Sequence, residues 1–563
     1  MGGKSQNRIH PSGQRKNTPL LFLMLTVFPL YGGYYNFSVL LVGAVLSALL
    51  AIQGAKTGTI GLTRGVEGAL LGGYCLLSFA TIPVAVSGGM ALTGALRACT
   101  WLLFFIYAAS YSTEERREIL DVLAYEGALL SAVSTIAFFF DAGVGISDAN
   151  GRIDGLFQYA NAWGLYQLVC LLLLALKKER KVLDYPAAAV LLLGIFLTGS
   201  RGVFLLLIIC ALWFAIYGLL RRKKMFPILG GAAAIICLLL TADALSGGLT
   251  STRLRAISTT SSSLNGRILY IIDGVRMVLK HPLGLGRGGY LYQQCLEQTG
   301  IYTLRFVHNE YLQAALDAGV AGGILFSAFI VLLLLKKRGS VRERVVLFVI
   351  AAHAMIDFDF QFASLMFLLL LCGEKDEVCP IYVGKRLVPV ACLCVSAVFL
   401  SFSLIYYFDF TGRYDAAYKM WNADLELVER RLQNSSSLEE GELYANQIVK
   451  MSDLSMIAWD CKYQLAAKHN NIPEMVRTKY QYLRLNRYQG DAYEEMTELL
   501  EKACIHCSEE ERLVYESMAN TLVAQLEEVK EHTSILAYRI ADKPDLEFST
   551  EIIKRLNAIT KKG

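Results

Sequence analysis

The chain has 563 residues, of which 54% are hydrophobic and 18% charged, and its formal net charge is +5. This balance excludes a soluble globular or a disordered chain, because apolar runs of membrane-span length recur along the sequence. The sequence therefore predicts an all-α, multi-pass membrane protein. The small net charge gives no reason to expect a nucleic-acid partner.

The first 17 residues are polar and basic, and no small-residue cleavage site follows the first apolar run, so we expect a cytoplasmic tail over 1–17. Apolar stretches of about twenty residues then predict successive membrane spans. The predicted spans are 18–35, 37–54, 66–86, 90–109, 119–140, 159–176, 185–199, 202–220, 225–241 and, after a large loop at about 242–314, 315–335.

Lysine and arginine residues cluster in alternate links between these spans. The cationic links lie around Lys56, Arg116, Lys177, Arg221 and Lys336, and the intervening links contain almost no cations. By the positive-inside rule, the N-terminus and the cationic links are cytoplasmic and the large loop is outside.

Residues 345–372 fit either one long helix or a hairpin bent at the sequence DFDFQ (357–361). The two carboxylates would be costly at the bilayer centre but reach water or loop cations at a hairpin tip, which favours the hairpin. A last span at 387–408 then emerges outside. The membrane domain, 18–408, is predicted to contain about 12–13 spans.

From residue 409 onward the chain is charged, rich in tyrosine and periodic at helical spacing. The predicted amphipathic helices are 413–433, 438–451, 455–470, 473–488, 490–505, 508–530, 533–541 and 546–560. Trp459 followed by Leu465 and Ala466 suggests paired helices of tetratricopeptide type. We expect 409–563 to be an α-solenoid-like domain outside the membrane. Cys504 and Cys507 form one CxxC pair, for which a disulfide and a metal site both stay open.

The large loop concentrates the candidate site residues. Apolar spacing predicts an amphipathic helix over Gly266–Lys280, Pro282 ends it, and a second helix is expected from about Val307 into the membrane. A cationic loop with a histidine at a membrane face predicts a binding site for an anion that is anchored in the membrane.

Arg201, in a short external link, and Arg267, at a helix start, are the strongest anion-binding candidates. A planar guanidinium binds phosphate through two hydrogen bonds, and a helix N-terminus adds amide donors. The alternatives are snorkelling to the interface for Arg201 and a lipid-headgroup anchor for Arg267.

His308 could take a proton from an attacking hydroxyl or donate to phosphate, and its alternative is a purely structural role. The candidates for substrate binding are Arg152, Asn161, Arg276, Arg287, Arg305, Asn309, Glu310 and Asp357.

The sequence has no DxD-like pair in an external loop, no HExxH motif and no P-loop. A metal-dependent glycosyltransferase or a nucleotide-driven pump is therefore disfavoured. We expect neither a metal nor a cofactor, and the cations themselves would neutralise a leaving diphosphate.

Five segments resemble the superfamily of O-antigen ligases and Wzy-type O-antigen polymerases. They are GLFQYANAWG (155–164), LTGSRG (197–202), NGRILYIIDGVRMVLKHPLGLGRGGY (265–290), VHNEYLQAALDAGVAGG (307–323) and HAMIDFDFQFASLMFLLLLCG (353–373). The resemblance implies a glycosyltransferase bundle of GT-C-like type in the inner membrane of a bacterium. It also implies metal-independent glycan transfer from an undecaprenyl-diphosphate donor to a hydroxyl of a glycan, lipid or protein acceptor.

By motif position, the resemblance implies that Arg201 and Arg267 bind the diphosphate. It also implies that His308 activates the acceptor or contacts a phosphate. It does not separate a polymerase from a ligase. Members with a helical-repeat tail are known in this superfamily, and such a tail offers a surface for the acceptor, a growing polymer or a cell-envelope partner.

Two other classes of protein remain as alternatives. A transporter or flippase for an anionic lipid or a lipid-linked glycan needs polar residues through the midplane of several spans, where this sequence has few besides Arg97 and Glu126. A simple membrane anchor for the tail would not need about a dozen spans.

Overall fold

A computed structural model describes residues 18–63, 65–140, 147–148, 151–220, 262–336, 340–373, 378–505 and 507–560. Within these ranges the chain forms 22 α-helices and one two-stranded antiparallel sheet. The all-α prediction is confirmed. The predicted span 225–241 and the first part of the large loop, 242–261, lie outside the described residues.

The helices before the tail comprise those in the predicted apolar runs and two in the large loop. They are α1 Thr18–Val27, α2 Asn36–Thr57, α3 Val66–Ala80, α4 Gly88–Ala109, α5 Thr113–Phe139, α6 Ala160–Ala175, α7 Asp184–Thr198, α8 Arg201–Leu220, α9 Ser262–Lys280, α10 Gly289–Glu297, α11 Glu310–Leu335, α12 Val341–His353, α13 Ala363–Cys372 and α14 Leu387–Phe410. The two helices in the large loop are α9 and α10, and α10 was not predicted.

In the described part of the chain, six helices are long and apolar enough to cross a membrane: α2, α3 with the turn that extends it, α4, α5, α11 and α14. The apolar helices α6, α7, α13 and the stretch Arg201–Ile216 of α8 are shorter. Together they make a multi-pass membrane protein.

The region 345–372 is a hairpin, as predicted. Its two limbs, α12 and α13, are separated by a turn and a short 3-10 helix over Asp359–Gln361. Both outer ends reach the start of α5, because Arg342 pairs with Asp121 at 2.5 Å and Arg116 donates to the Gly373 carbonyl at 2.8 Å. The limbs therefore run in opposite directions.

The sheet was not predicted. Strand β1, Thr59–Thr63, pairs with β2, Val378–Tyr382. Both strands lie in links that the positive-inside rule assigns to the cytoplasm, so their pairing agrees with a common side for these links.

The tail forms the remaining helices close to their predicted bounds. They are α15 Tyr414–Met420, α16 Leu425–Gln433, α17 Leu438–Met451, α18 Met456–Lys468, α19 Ile472–Leu485, α20 Gly490–Ala503, α21 Glu509–His532 and α22 Ser549–Thr560. The predicted segment 413–433 is two helices, because the Asp424 side chain accepts from the Glu426 and Leu427 amides and starts a new helix. The predicted segment 533–541 contains a 3-10 helix over Ile535–Arg539. Cys504 and Cys507 carry free thiols.

The tail packs directly on the large loop. The Tyr292 hydroxyl of α10 donates to Glu429 of α16 at 2.6 Å, and the Ser534 amide donates to the Thr299 carbonyl at 2.9 Å. Leu269 of α9 is fully buried in an apolar cluster with side chains from 537–540. The loop and the tail therefore lie on the same side of the membrane helices.

Candidate active site

The carboxylate of Asp357, in the turn of the hairpin, is the centre of the site, and only 1% of its side chain is exposed. The Tyr159 hydroxyl donates to Oδ1 at 2.8 Å, and Nδ1 of His308 lies 3.1 Å from the same oxygen. The Asn161 amide donates to Oδ2 at 2.7 Å and Arg267 Nη2 at 3.2 Å. One buried carboxylate of the hairpin thus binds residues from three other segments.

The charge state of Asp357 follows from these neighbours. Burial alone would raise its pKa, but the hydrogen bond from His308 and the charge of Arg267 outweigh burial and hold that pKa well below its usual range. An ionised carboxylate only accepts hydrogen bonds, so Nδ1 of His308 is the donor. In the neutral imidazole, Nε2 is then left as the proton acceptor.

His308 occupies a tightly constrained turn just before α11. Its φ is +55°, in the left-handed region that non-glycine residues rarely adopt. The next residue, Asn309, caps α11 by accepting from the Leu312 amide at 2.9 Å, and its own amide donates to the Met355 carbonyl at 2.9 Å. Asn309 therefore fixes the loop against the hairpin and so orients His308.

Arg152 and Asn161 extend the site on the Oδ2 side of Asp357. Arg152 donates to Asn161 Oδ1 at 2.6 Å and to the carbonyl of Thr198, the last residue of α7, at 2.7 Å. The turn between α7 and α8 is thereby tied to the Asp357 cluster, and Arg201 starts the next helix.

Arg201 lies beside the hairpin. A side chain at its neighbour Gly202 would approach Ile356 to 2.9 Å and His353 to 3.2 Å, so the start of α8 touches the end of α12. Arg201 is half-buried, and no hydrogen bond or ion pair joins its side chain to another of the described residues. Its donors can therefore turn toward an external anion.

Arg287 and Arg305 form a second group. Arg287 hydrogen-bonds the Gln361 side chain, and its guanidinium lies 5.6 Å from the centre of the Phe306 ring. Arg305 makes two bonds of 2.7 Å to Glu426 of the tail. This group borders the Asp357 cluster, because Phe306 packs on Phe358 with ring centres 5.1 Å apart.

The structure does not bring Arg276 into the site. It points away from Arg267 on the same helix, is 56% exposed and pairs with Asp273 at 3.4 Å. Asp273 in turn accepts from Thr299 and Tyr302, within the loop itself.

Glu310 is buried under the hairpin turn. Its Oε1 accepts from the backbone amides of Phe360 at 2.9 Å and Gln361 at 3.1 Å, and its Oε2 accepts from the Gln361 side chain at 3.1 Å. The carboxylate supports the turn that carries Asp357 and is not directed at the cluster itself.

Glu310→Ala is therefore expected to act on stability. Removing the acceptor strands the buried backbone amide of Phe360 and the side-chain amide of Gln361, at about 1–3 kcal/mol for each stranded group. The backbone amide of Gln361 still donates to the Phe358 carbonyl at 3.2 Å. We expect a lower midpoint of thermal unfolding in detergent, followed by intrinsic fluorescence. Glu531→Ala, at an exposed position of α21, serves as the control. An unchanged midpoint for Glu310→Ala would contradict this supporting role.

Sequence reasoning missed several residues that complete the site. Tyr159 lies two positions before Asn161 and completes its motif. His353 pairs with Asp359 at 2.7 Å, so Asp359 does not bind a loop arginine. The buried Arg97 donates to the carbonyls of Tyr34 at 2.9 Å and Gln361 at 2.8 Å, and so ties the α1–α2 link to the hairpin. Tyr159, His353 and Asp359 sit inside segments already singled out, so their positions had a signal, but their pairing did not.

A multi-pass helical membrane protein with an arginine- and histidine-lined site at one face is the class that this fold defines. The family model for O-antigen ligase matches residues 186–327, which run from α7 into α11 and include Arg201, Arg267 and His308. This match supports a glycan transfer function of the O-antigen ligase or polymerase type, with a lipid-linked donor and a glycan acceptor in general. No curated protein and no solved structure matches the chain.

Proposed function

We propose that the protein transfers a glycan from an undecaprenyl-diphosphate carrier to an acceptor hydroxyl at the outer face of the bacterial cytoplasmic membrane. The observation that carries the proposal is the convergence of Arg267 and His308 on the buried Asp357. The start of α8, which carries Arg201, packs against the same hairpin. The external side of the loop and tail, and the inner-membrane location, are parts of the same proposal.

Arg201 and Arg267 bind the diphosphate of the donor. Arg267 uses one of its nitrogens on Asp357, and its side chain is 24% exposed, so the remaining donors can reach phosphate oxygens. Because the leaving group gains negative charge as the bond to the sugar breaks, fixed guanidinium groups stabilise the transition state more than the ground state.

His308 activates the acceptor. The acceptor oxygen attacks the anomeric carbon, the bond between that carbon and the phosphate oxygen breaks, and the hydroxyl proton passes to Nε2 of His308. Asp357 holds Nδ1–H and stabilises the imidazolium that results, as the aspartate of a serine-protease triad does. Undecaprenyl diphosphate leaves with the electron pair of the broken bond.

Guanidinium groups replace a divalent metal in this scheme, so chelation is expected to have no effect. Transfer by the purified protein in 5 mM EDTA should stay within about twofold of the untreated rate, since no step uses a metal ion. Product is measured by mass spectrometry after brief incubation. Strong inhibition that added Mg²⁺ or Mn²⁺ reverses would contradict the metal-free reading.

The direct test of the proposed function is incubation of the purified protein with a lipid-diphosphate-linked oligosaccharide. A ladder of products spaced by one repeat unit identifies a polymerase, and a single mass shift of an added acceptor identifies a ligase. If the folded protein consumes no donor, either alone or with an added acceptor, the transferase proposal fails.

The helical tail belongs to this function because it contacts the site. Glu426 of α16 binds Arg305 in the loop, so the tail packs against the loop beside the site. We propose that the rest of 409–563 is an α-solenoid of tetratricopeptide type that binds a cell-envelope partner outside the membrane.

A further inference from the structure

A cavity next to the Asp357 cluster is lined jointly by the membrane part, the loop and the tail. It encloses about 110 Å³, far more than the 10–15 Å³ that one water requires. One wall consists of aromatic side chains from the α1–α2 link, the start of α2 and the end of α14. The other wall consists of charged side chains. The aromatic wall includes Tyr34, Tyr35, Phe37 and Phe410.

The charged wall is an alternating network that crosses from the loop to the tail. Arg305 binds Glu426 through two bonds of 2.7 Å, Arg430 lies 3.6 Å from the same carboxylate, and Arg430 also pairs with Asp409. Asp409 is only 6% exposed, yet its Oδ1 has no hydrogen-bond partner among the described residues. A ligand in the cavity can supply the hydrogen-bond donor that this buried acceptor lacks.

The charge balance of the cavity excludes a second diphosphate site. Three guanidinium groups (Arg287, Arg305, Arg430) face two carboxylates (Asp409, Glu426), which leaves a formal charge of only +1. The carboxylates would repel phosphate oxygens. Flat aromatic faces opposite groups that both donate and accept hydrogen bonds instead match a sugar ring, with its apolar C–H faces and its hydroxyl groups.

A series of side-chain contacts leads from the cavity to the Oδ1 side of Asp357, where His308 lies. The Tyr35 hydroxyl at the cavity donates to Gln158 at 2.7 Å, and the next residue, Tyr159, donates to Oδ1. A second series of contacts starts at Arg287 in the cavity wall and passes through the rings of Phe306 and Phe358. Phe358 packs against His308 with ring centres 5.0 Å apart. The Oδ2 side, in contrast, leads through Arg267 and Asn161 toward Arg201.

We infer that this cavity binds a sugar residue of the acceptor glycan and presents its hydroxyl to His308. The inference rests on the proposed transferase function and adds the acceptor side to it. Glu426 and Arg430 make the tail a part of the acceptor site. The tail then contributes to acceptor selection directly, through contacts with the sugar.

The test is binding of a lipid-free glycan to the purified full-length protein. The probe, titrated by saturation-transfer NMR, is the lipid-free glycan of the acceptor that the product assay identifies. For a polymerase it is the oligosaccharide that mild acid releases from the diphosphate-lipid pool of the host cells, and for a ligase it is the glycan of the added acceptor. We expect Tyr35→Ala and Asp409→Asn each to weaken binding at least about tenfold.

Tyr382→Ala, at an 81% exposed position of β2, controls for loss of an aromatic residue elsewhere. Tyr35→Phe keeps the ring and should retain most of the affinity, which guards against misfolding of the alanine variant. Equal affinities in wild type, Tyr35→Ala and Asp409→Asn, or no binding of the probe to wild type at millimolar concentration, would overturn the acceptor cavity. Failure of the transferase proposal is read separately, from the absence of any product with the lipid-linked donor.

Discussion

Asp357→Asn is expected to reduce glycan transfer by about 10³- to 10⁴-fold while the protein still inserts and folds. The amide presents NH₂ where the carboxylate accepts hydrogen bonds from His308 and Arg267, so the imidazole loses the partner that fixes its proton on Nδ1. In serine proteases, the equivalent change in the triad lowers turnover about 10⁴-fold for this reason. The measurement is a single-turnover rate with saturating donor.

A double variant separates catalysis through His308 from a loss of structure. If Asp357 acts by orienting His308, then Asp357→Asn combined with His308→Ala should be no slower than the more damaged single variant. His308→Ala alone should also be slow. Multiplicative losses in the double variant, or an unchanged rate for His308→Ala, would show that the two residues do not act as a unit.

Arg267→Ala is expected to lower the rate about 10²- to 10³-fold, the usual effect of removing one positioned donor to a developing anion. Arg267→Lys should recover little, because an ammonium group cannot bind two phosphate oxygens while also contacting Asp357. The same single-turnover assay measures both variants.

The matched control is Lys280→Ala, which removes a cation from the same helix. Lys280 is 62% exposed and pairs with Glu297, away from Asp357. We expect its rate to stay within about twofold of wild type. If Lys280→Ala and Arg267→Ala reduce transfer equally, the loss of rate is due to the general positive charge of α9 and not to a specific diphosphate contact.

The fold was largely predictable because its signals are local. Apolar spacing predicted a helix over Gly266–Lys280, and the structure has Ser262–Lys280. Helix α17 matched its predicted bounds, since Ser437 caps its start. The β1–β2 pairing was missed because two short strands more than three hundred residues apart leave no periodic signal.

The site was predictable only in part. Composition and motif position selected Arg201, Arg267 and His308 individually. Asp357 joins the last two of these, but it is 90 positions from Arg267, and only the fold brings them together. Arg276 could have been separated from Arg267 at the outset. The two are nine positions apart, about two and a half helical turns, so they face opposite sides of α9.

The loop–tail ion pairs had no sequence signal at all. Arg305 and Glu426 are 121 positions apart, and each resembles an ordinary surface charge in its own segment. Long-range charge pairing depends on how the tail returns over the loop, which helical periodicity does not encode.

The central claim is that Arg201 and Arg267 recognise a lipid diphosphate without a metal. The most direct measurement compares binding of undecaprenyl diphosphate and undecaprenyl monophosphate to the purified protein in EDTA. Wild type should prefer the diphosphate by about ten- to a hundredfold, the worth of one or two charge-assisted hydrogen bonds, and the variant with lysine at both positions should lose that preference. An equal preference in wild type and the double-lysine variant would contradict the account.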